Sequence, residues 1–143
     1  IEIAQSEGAQ LLHGGGTPEG AEIQGGQFVE PTIFSNVLNN MRIAQEEVFG
    51  PVLSIIGFDT EEEAVEIGND IAFGLAAGVW TQNIGRAVRM SKSLKAGTVW
   101  VNTYRAVSYL MPFGGMKQSG NGREGGVWGL EEFLEVRAIG GWF

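Results

Sequence analysis

The sequence predicts an α/β fold, an open and mostly parallel sheet with flanking helices, and three features carry that prediction. Val52 to Phe58 is a continuous apolar run, the pattern of a strand covered on both faces. Thr60 stands three residues before Glu63, a capping box that opens a helix at Glu61. In that helix Ala64, Ile67, Gly68 and Ile71 recur at helical spacing. The same alternation then repeats. Ala76 to Thr81 reads as a second buried strand, Asn83 caps a helix carrying Ile84, Ala87, Val88 and Ser91, and Thr98 to Thr103 is a third strand. Strand, helix, strand, helix, strand with short connections predicts a parallel sheet with right-handed crossovers.

The remaining elements are weaker in pattern. Ile1 to Ala9 places Ile1, Ala4 and Gln5 on one side of a short helix, and Ala9 to His13 is a brief strand closed by Gly14-Gly15-Gly16. Thr17 to Gln27, rich in Gly and Glu, reads as a surface loop. Phe28 to Phe34 is β-prone, and Pro31 assigns it to an edge or to the margin of a sheet. Ser35 to Arg42 is polar and turn-like. Lys92 and Lys95 suit the negative end of the second helix, with Gly97 expected to stop it. From Tyr104 to Gly126 regular structure is expected to cease, in an ordered, buried loop. Val127 to Phe133 is a short helix and Leu134 to Ile139 a last strand, before Trp142 and Phe143.

Composition narrows the function. With 143 residues, 43% hydrophobic and 18% charged, the chain is long enough for one folded domain with a sizeable core. A net charge of -8 disfavours nucleic acid, whose readers are basic. No apolar run approaches the ~20 residues of a membrane span. There is no cysteine, hence no disulfide, thiolate metal site or thiol nucleophile within the chain, which fits a cytoplasmic setting. The start at Ile1 without an initiator Met, together with 23 unevenly spread glycines, suggests a piece of a larger protein.

Few residues offer chemistry by themselves. Gly120 to Gly125 matches the G-x-G-x-x-G pattern of dinucleotide sites. The preceding Gly114 to Ser119 reads as loop where a strand is needed, so a structural glycine loop is the preferred reading over a phosphate-binding module. His13, the single histidine, has no metal-ligand spacing around it and cannot build a catalytic triad beside a glycine turn. No metal site is expected. Glu61-Glu62-Glu63 is explained by the helix dipole. Glu46 and Glu47, taken alone, are a solvated loop before a strand, with Phe49 a core anchor. Strand carboxyl ends are where open α/β sheets bind ligands, and only Asn102-Thr103-Tyr104-Arg105 leads into a loop long enough to form a pocket.

Taken together, four collinear strings carry a resemblance. These are Glu46-Glu47-Val48-Phe49-Gly50-Pro51-Val52; Phe73-Gly74-Leu75-Ala76-Ala77-Gly78; Gly97-Thr98-Val99-Trp100-Val101-Asn102; and Pro112-Phe113-Gly114-Gly115 with Lys117, Ser119-Gly120 and Gly122-Arg123-Glu124. In this order and spacing the chain resembles the NAD(P)-dependent aldehyde dehydrogenases, from Gly8 to Val136.

The resemblance implies that residues 1–133 are the C-terminal part of a catalytic domain and 134–143 an oligomerisation strand or tail. It implies oxidation of an aldehyde to a carboxylic acid through a cysteine thiohemiacetal and thioester, with NAD or NADP taking the hydride. The nucleophile, base and main cofactor domain would lie outside this chain, which alone is expected to be inactive. Glu47 would accept hydrogen bonds from the nicotinamide ribose hydroxyls and Phe49 would pack against that unit, this loop reaching to a cofactor held elsewhere. Asn102, Tyr104, Arg105 and Phe113 would wall the aldehyde site. Arg105 departs from many relatives and hints at an acidic or polar aldehyde. The tail implies a homodimer or homotetramer joined through its strand. A non-catalytic structural or binding protein of the same fold is the alternative.

Overall fold

A computed structural model of the chain describes residues 1–20, 22 and 25–142. It divides into two compact units, Ile1–Ile71 and Ala72–Phe143. Part of the loop expected between Thr17 and Gln27 (Ala21, Ile23 and Gln24) and the terminal Phe143 lie outside the described residues.

The first unit opens with helix α1 (Glu2–Ser6) and strand β1 (Gln10–His13), which pairs antiparallel with β2 (Thr32–Ser35). Strand β2 pairs on its other side, in parallel, with β3 (Val52–Ser54). Pro31 immediately precedes β2, so it marks the margin of the strand. The strand itself is the middle of three, which corrects the edge assignment. The missing proline donor costs nothing there because pairing starts one residue later. Phe34, fully buried, centres the core with Ala4, Ala9, Val37 and Met41. Thr32 is the one buried polar residue among those described; its hydroxyl donates to the Glu30 carbonyl (2.8 Å) and accepts from the Gly15 N–H (3.0 Å). That contact folds the glycine turn onto β2, and Gly14 is required there: its φ is +70°, and a Cβ would strike the Pro31 carbonyl.

Two expectations about β3 need correction. The strand is three residues long, and its apolar run is covered on one face only. Val52 and Ile56 pack on the core, whereas Leu53, Ile55 and Phe58 remain exposed. An unbroken apolar run leaves the number of covered faces to long-range packing, and this unit supplies one layer. Helix α2 (Arg42–Gln45) lies between β2 and β3, its first free N–H held by the Glu7 carboxylate at 2.9 Å. Helix α3 (Glu61–Asn69) is capped as expected. The Thr60 hydroxyl accepts from the Glu63 N–H (3.1 Å), and the Glu63 carboxylate accepts from the Asp59 N–H (2.7 Å).

The second unit is built on two ladders. Strands β4 (Phe73–Gly74) and β7 (Met116–Lys117) pair antiparallel; β5 (Ala76–Val79) and β6 (Thr98–Val101) pair in parallel across four residues. Helix α4 (Ile84–Ser93) connects β5 to β6, capped by Asn83 through the Arg86 N–H at 2.9 Å. The fold is α/β with parallel strands, as expected. The three expected strands nevertheless do not share one ladder, since β3 pairs with β2 and β5 with β6. Helix α4 also ends at Ser93, before Lys95 and Gly97. Gly97 instead allows a close approach: a Cβ there would run into the Gly114 carbonyl. Of the helical stripe only Ala87 is buried, and Ile84 and Val88 are exposed.

The long loop after β6 is ordered but not buried, contrary to expectation. Tyr104, Tyr109, Leu110 and Met111 all stand exposed. Its return is a bridge in which Phe113 and Glu124 exchange backbone hydrogen bonds at 2.7 and 2.8 Å. Helix α5 (Gly126–Glu131) follows. Leu134 to Ile139 forms no strand, and Val136 and Ile139 are exposed. An extended segment becomes a strand only when another supplies its ladder, and none does here. Among the described residues no helix is long and apolar enough to cross a membrane.

Candidate functional site

Strand β5 and the loop that follows β6 line a cavity of about 540 Å³ within the second unit. Its walls include Trp80, Trp100, Tyr104, Arg105, Val107 and Phe113, with the small residues of β5 as the floor. The loop is stapled to β6 by Trp100, whose indole N–H donates to the Ala106 carbonyl at 2.8 Å. Tyr104 stands edge-on to Trp100, ring centroids 5.6 Å apart at 72°. The Arg105 guanidinium lies over the Tyr104 ring, 5.3 Å from its centroid, a cation–π arrangement. Phe113 is held at the far side by its bridge to Glu124.

Two residues at the start of this loop sit on left-handed backbone. Asn102 and Arg105 have φ of +52° and +54°, in the left-handed region that costs a side-chain-bearing residue on the order of 1–2 kcal/mol. Asn102 tolerates it best and also explains it. Its Oδ1 accepts from the Thr81 N–H (2.8 Å) and its Nδ2 donates to the Thr81 carbonyl (2.9 Å). The amide thus extends the β5–β6 ladder by one rung beyond the last backbone pair. Asn102 is a clamp between the two strand ends and does not line the cavity, where Tyr104, Arg105 and Phe113 do.

The Glu46–Pro51 loop lies in the first unit. Glu46 and Glu47 are not equivalent there. Glu46 makes a two-pronged ion pair with Arg42 on the preceding helical turn, at 2.7 and 2.8 Å. The Arg42 hydrogen bonds, more than its charge, hold the Glu46 carboxyl below the usual carboxylate range. Glu47 is exposed and makes no side-chain hydrogen bond or ion pair with the described residues. Phe49 is 92% exposed on a backbone with φ of +52°. Phe49 is therefore not the core anchor expected of it when the loop is read alone.

The aldehyde dehydrogenase family model matches residues 1–139. The chain belongs to the aldehyde dehydrogenase family. It is 50% identical over 139 residues to betaine aldehyde dehydrogenase of Bacillus subtilis, covering 97% of this chain and 28% of that protein. It is 51% identical to cytosolic aldehyde dehydrogenase 2 of Macroscelides proboscideus, again over 97% of this chain and 56% of the relative. The structure of the Mycobacterium tuberculosis aldehyde dehydrogenase complexed with NAD+ superposes with a TM-score of 0.87 at 48% identity, over 92% of this chain and 27% of that one. The chain therefore spans between about a quarter and just over half the length of these relatives.

As an aldehyde dehydrogenase chain, it brings three of the four expected wall residues to one cavity and reassigns the fourth. Trp80 was not foreseen as a wall. Trp80 follows directly on β5, one residue beyond its last paired position. The Gly120–Gly125 loop packs closely on backbone at its end. A Cβ at Gly125 would strike the Met111 carbonyl. The segment before it is not all loop, since β7 occupies Met116–Lys117, but the helix after it has only six residues. His13 ends β1 and is exposed, and among the described residues no cluster of three His, Cys, Asp or Glu could hold a metal.

Proposed function

We propose that this chain serves an NAD- or NADP-dependent aldehyde dehydrogenase, contributing the aldehyde-site wall and a cofactor-positioning loop. The single observation that carries the reading is the aromatic cavity of the second unit, in a chain whose family is established over 139 residues. Tyr104, Arg105 and Phe113 form the wall against which the aldehyde's carbon chain lies. Their apolar faces exclude water, which protects a thioester from premature hydrolysis. Asn102 acts behind them as a positioning residue, fixing the start of the loop.

The residues of the Glu46–Pro51 loop fit a nicotinamide nucleoside. Two unpartnered carboxylate oxygens on Glu47 match a vicinal ribose diol, and the exposed Phe49 ring offers a face for the nicotinamide-ribose unit. When bound, the cofactor supplies a two-electron hydride acceptor. The NAD+ carried by the Mycobacterium tuberculosis relative supports this assignment. The 143 residues contain no cysteine, so the thiolate nucleophile is contributed from outside them and this segment alone does not turn over. The reading also covers a homodimer or homotetramer joined through residues 134–143, and a cytoplasmic location, which the name of the Macroscelides relative supports.

The test is steady-state kinetics of the full-length enzyme, following reduction of the nicotinamide. Glu47→Gln and Phe49→Ala are expected to raise the cofactor KM or lower kcat by about tenfold or more. Phe113→Ala is expected to raise the aldehyde KM. A full-length protein that oxidises no aldehyde with either nucleotide refutes the proposal and leaves the non-catalytic alternative.

A further inference from the structure

We infer that Arg105 makes this site selective for aldehydes that carry a carboxylate at their far end, and against those that carry a quaternary ammonium. The inference rests on the cavity being the aldehyde site, as proposed above. Among the side chains that line the cavity, Arg105 alone is charged. Its guanidinium is held by the face of Tyr104, and among the described residues no carboxylate neutralises it. Stacking orients a guanidinium while leaving its N–H edge free, and that edge matches a carboxylate in a two-pronged geometry. Arg105 sits on left-handed backbone, φ +54°.

The aromatic walls sharpen the point. Trp80, Trp100 and Tyr104 would by themselves suit a cationic substrate, since quaternary ammonium groups are bound by aromatic faces. Here the Tyr104 face is already taken by the protein's own cation. A trimethylammonium group entering the same cavity meets a like charge at Tyr104, whatever the tryptophan rings offer. The chain therefore departs in substrate charge from what the name of its Bacillus subtilis relative says of that enzyme, despite 50% identity. Val107 and Phe113 complete an apolar passage for the methylene chain between the carboxylate and the aldehyde carbon.

The experiment compares kcat/KM of the full-length enzyme for glutaric semialdehyde, for pentanal as the neutral aldehyde of the same chain length, and for betaine aldehyde. The variants are Arg105→Asn, which removes the cation and tolerates the left-handed backbone, and Arg105→Lys, which keeps a charge without the planar fork. The wild type is expected to prefer the semialdehyde over pentanal. Arg105→Asn should lower that ratio by about ten- to a hundredfold, the range for a charge-assisted hydrogen bond, chiefly through KM. Arg105→Lys should retain part of it. Added salt should lower the ratio in the wild type and leave it flat in Arg105→Asn, a response that a merely structural role for Arg105 would not produce. Thermal melts of both variants, close to that of the wild type, separate loss of recognition from loss of fold. A ratio unchanged in a folded Arg105→Asn, or a wild type that prefers betaine aldehyde, overturns the inference. If the wild type oxidises pentanal and the ratio does not move, only the role of Arg105 falls; if it oxidises no aldehyde with either nucleotide, the enzyme reading falls as well.

Discussion

Asn102→Ala tests whether the loop that walls the cavity is held by a side-chain rung. The substitution removes two hydrogen bonds to Thr81, of 2.8 and 2.9 Å. A net contribution of about 0.5–1.5 kcal/mol each would give about 1–3 kcal/mol, and the exposure of Asn102 favours the lower half. The φ of +52° adds a second term, because alanine in the left-handed region costs on the order of 1–2 kcal/mol where asparagine is enriched. The sum is a loss of about 2–4 kcal/mol. Asn102→Gly separates the two terms: it loses the same hydrogen bonds without the backbone penalty, so it should be the milder variant. Urea unfolding of the wild type and both variants measures the order through the shift in midpoint at constant slope. A loss under about 0.5 kcal/mol for Asn102→Ala, or glycine more destabilising than alanine, would refute the clamp.

Thr60→Ala should destabilise the chain by about 1 kcal/mol by freeing the Glu63 N–H, and the shift in urea midpoint measures it. The Glu46 carboxyl titrates below its ordinary range because of Arg42, so the stability it lends is present above the unfolded-state carboxylate value and is lost as pH falls through the lower folded-state value. Because the pair is exposed the effect is small, and acid titration of stability in Glu46→Gln should lack that component at low salt. Gly97→Ala should destabilise strongly, since its Cβ would collide with the Gly114 carbonyl and push the start of β6 away from the segment that follows Phe113; a melting temperature equal to that of the wild type would contradict the close approach.

What the sequence made legible was local. Thr60 and Asn83 cap their helices as read, because a cap and its N–H lie within three residues of one another. The β5–α4–β6 crossover was legible for the same reason, its apolar runs and helical spacing being contiguous. What failed was coverage. The run from Val52 to Phe58 reads as buried on both faces, yet Leu53, Ile55 and Phe58 stand in solvent, since burial is decided by whatever packs there from elsewhere. The site followed the same division. Tyr104 and Arg105 could be placed at a strand's carboxyl end from sequence, and Phe113 by the family resemblance, and the three do share a cavity. The amide of Asn102, however, is spent on Thr81, twenty-one positions away, and no local pattern announces such a pairing. Positive φ at Phe49 and Arg105 is equally silent, because neither residue type signals it.

The tail carries the same distinction into assembly. Leu134 to Ile139 alternates as a strand would, and α5 and the residues after it expose Trp128, Leu130, Phe133, Val136 and Ile139. A sequence patterned for a ladder but lacking one has open backbone donors and acceptors and a row of apolar side chains in water, which a strand from another copy would satisfy in the assembly proposed above. Deleting Leu134 to Phe143 from the full-length enzyme should therefore move it to smaller species in sedimentation. Substituting charges for Val136 and Ile139 alone should do the same without shortening the backbone, because it removes the apolar contribution and adds like-charge repulsion across a symmetric pairing. Hydrogen exchange gives the independent readout. The amides of 134–139 should be protected in the assembled wild type and exchange freely in the charged variant. An oligomer of unchanged size in both variants, with unprotected tail amides in the wild type, would place the contact elsewhere in the protein.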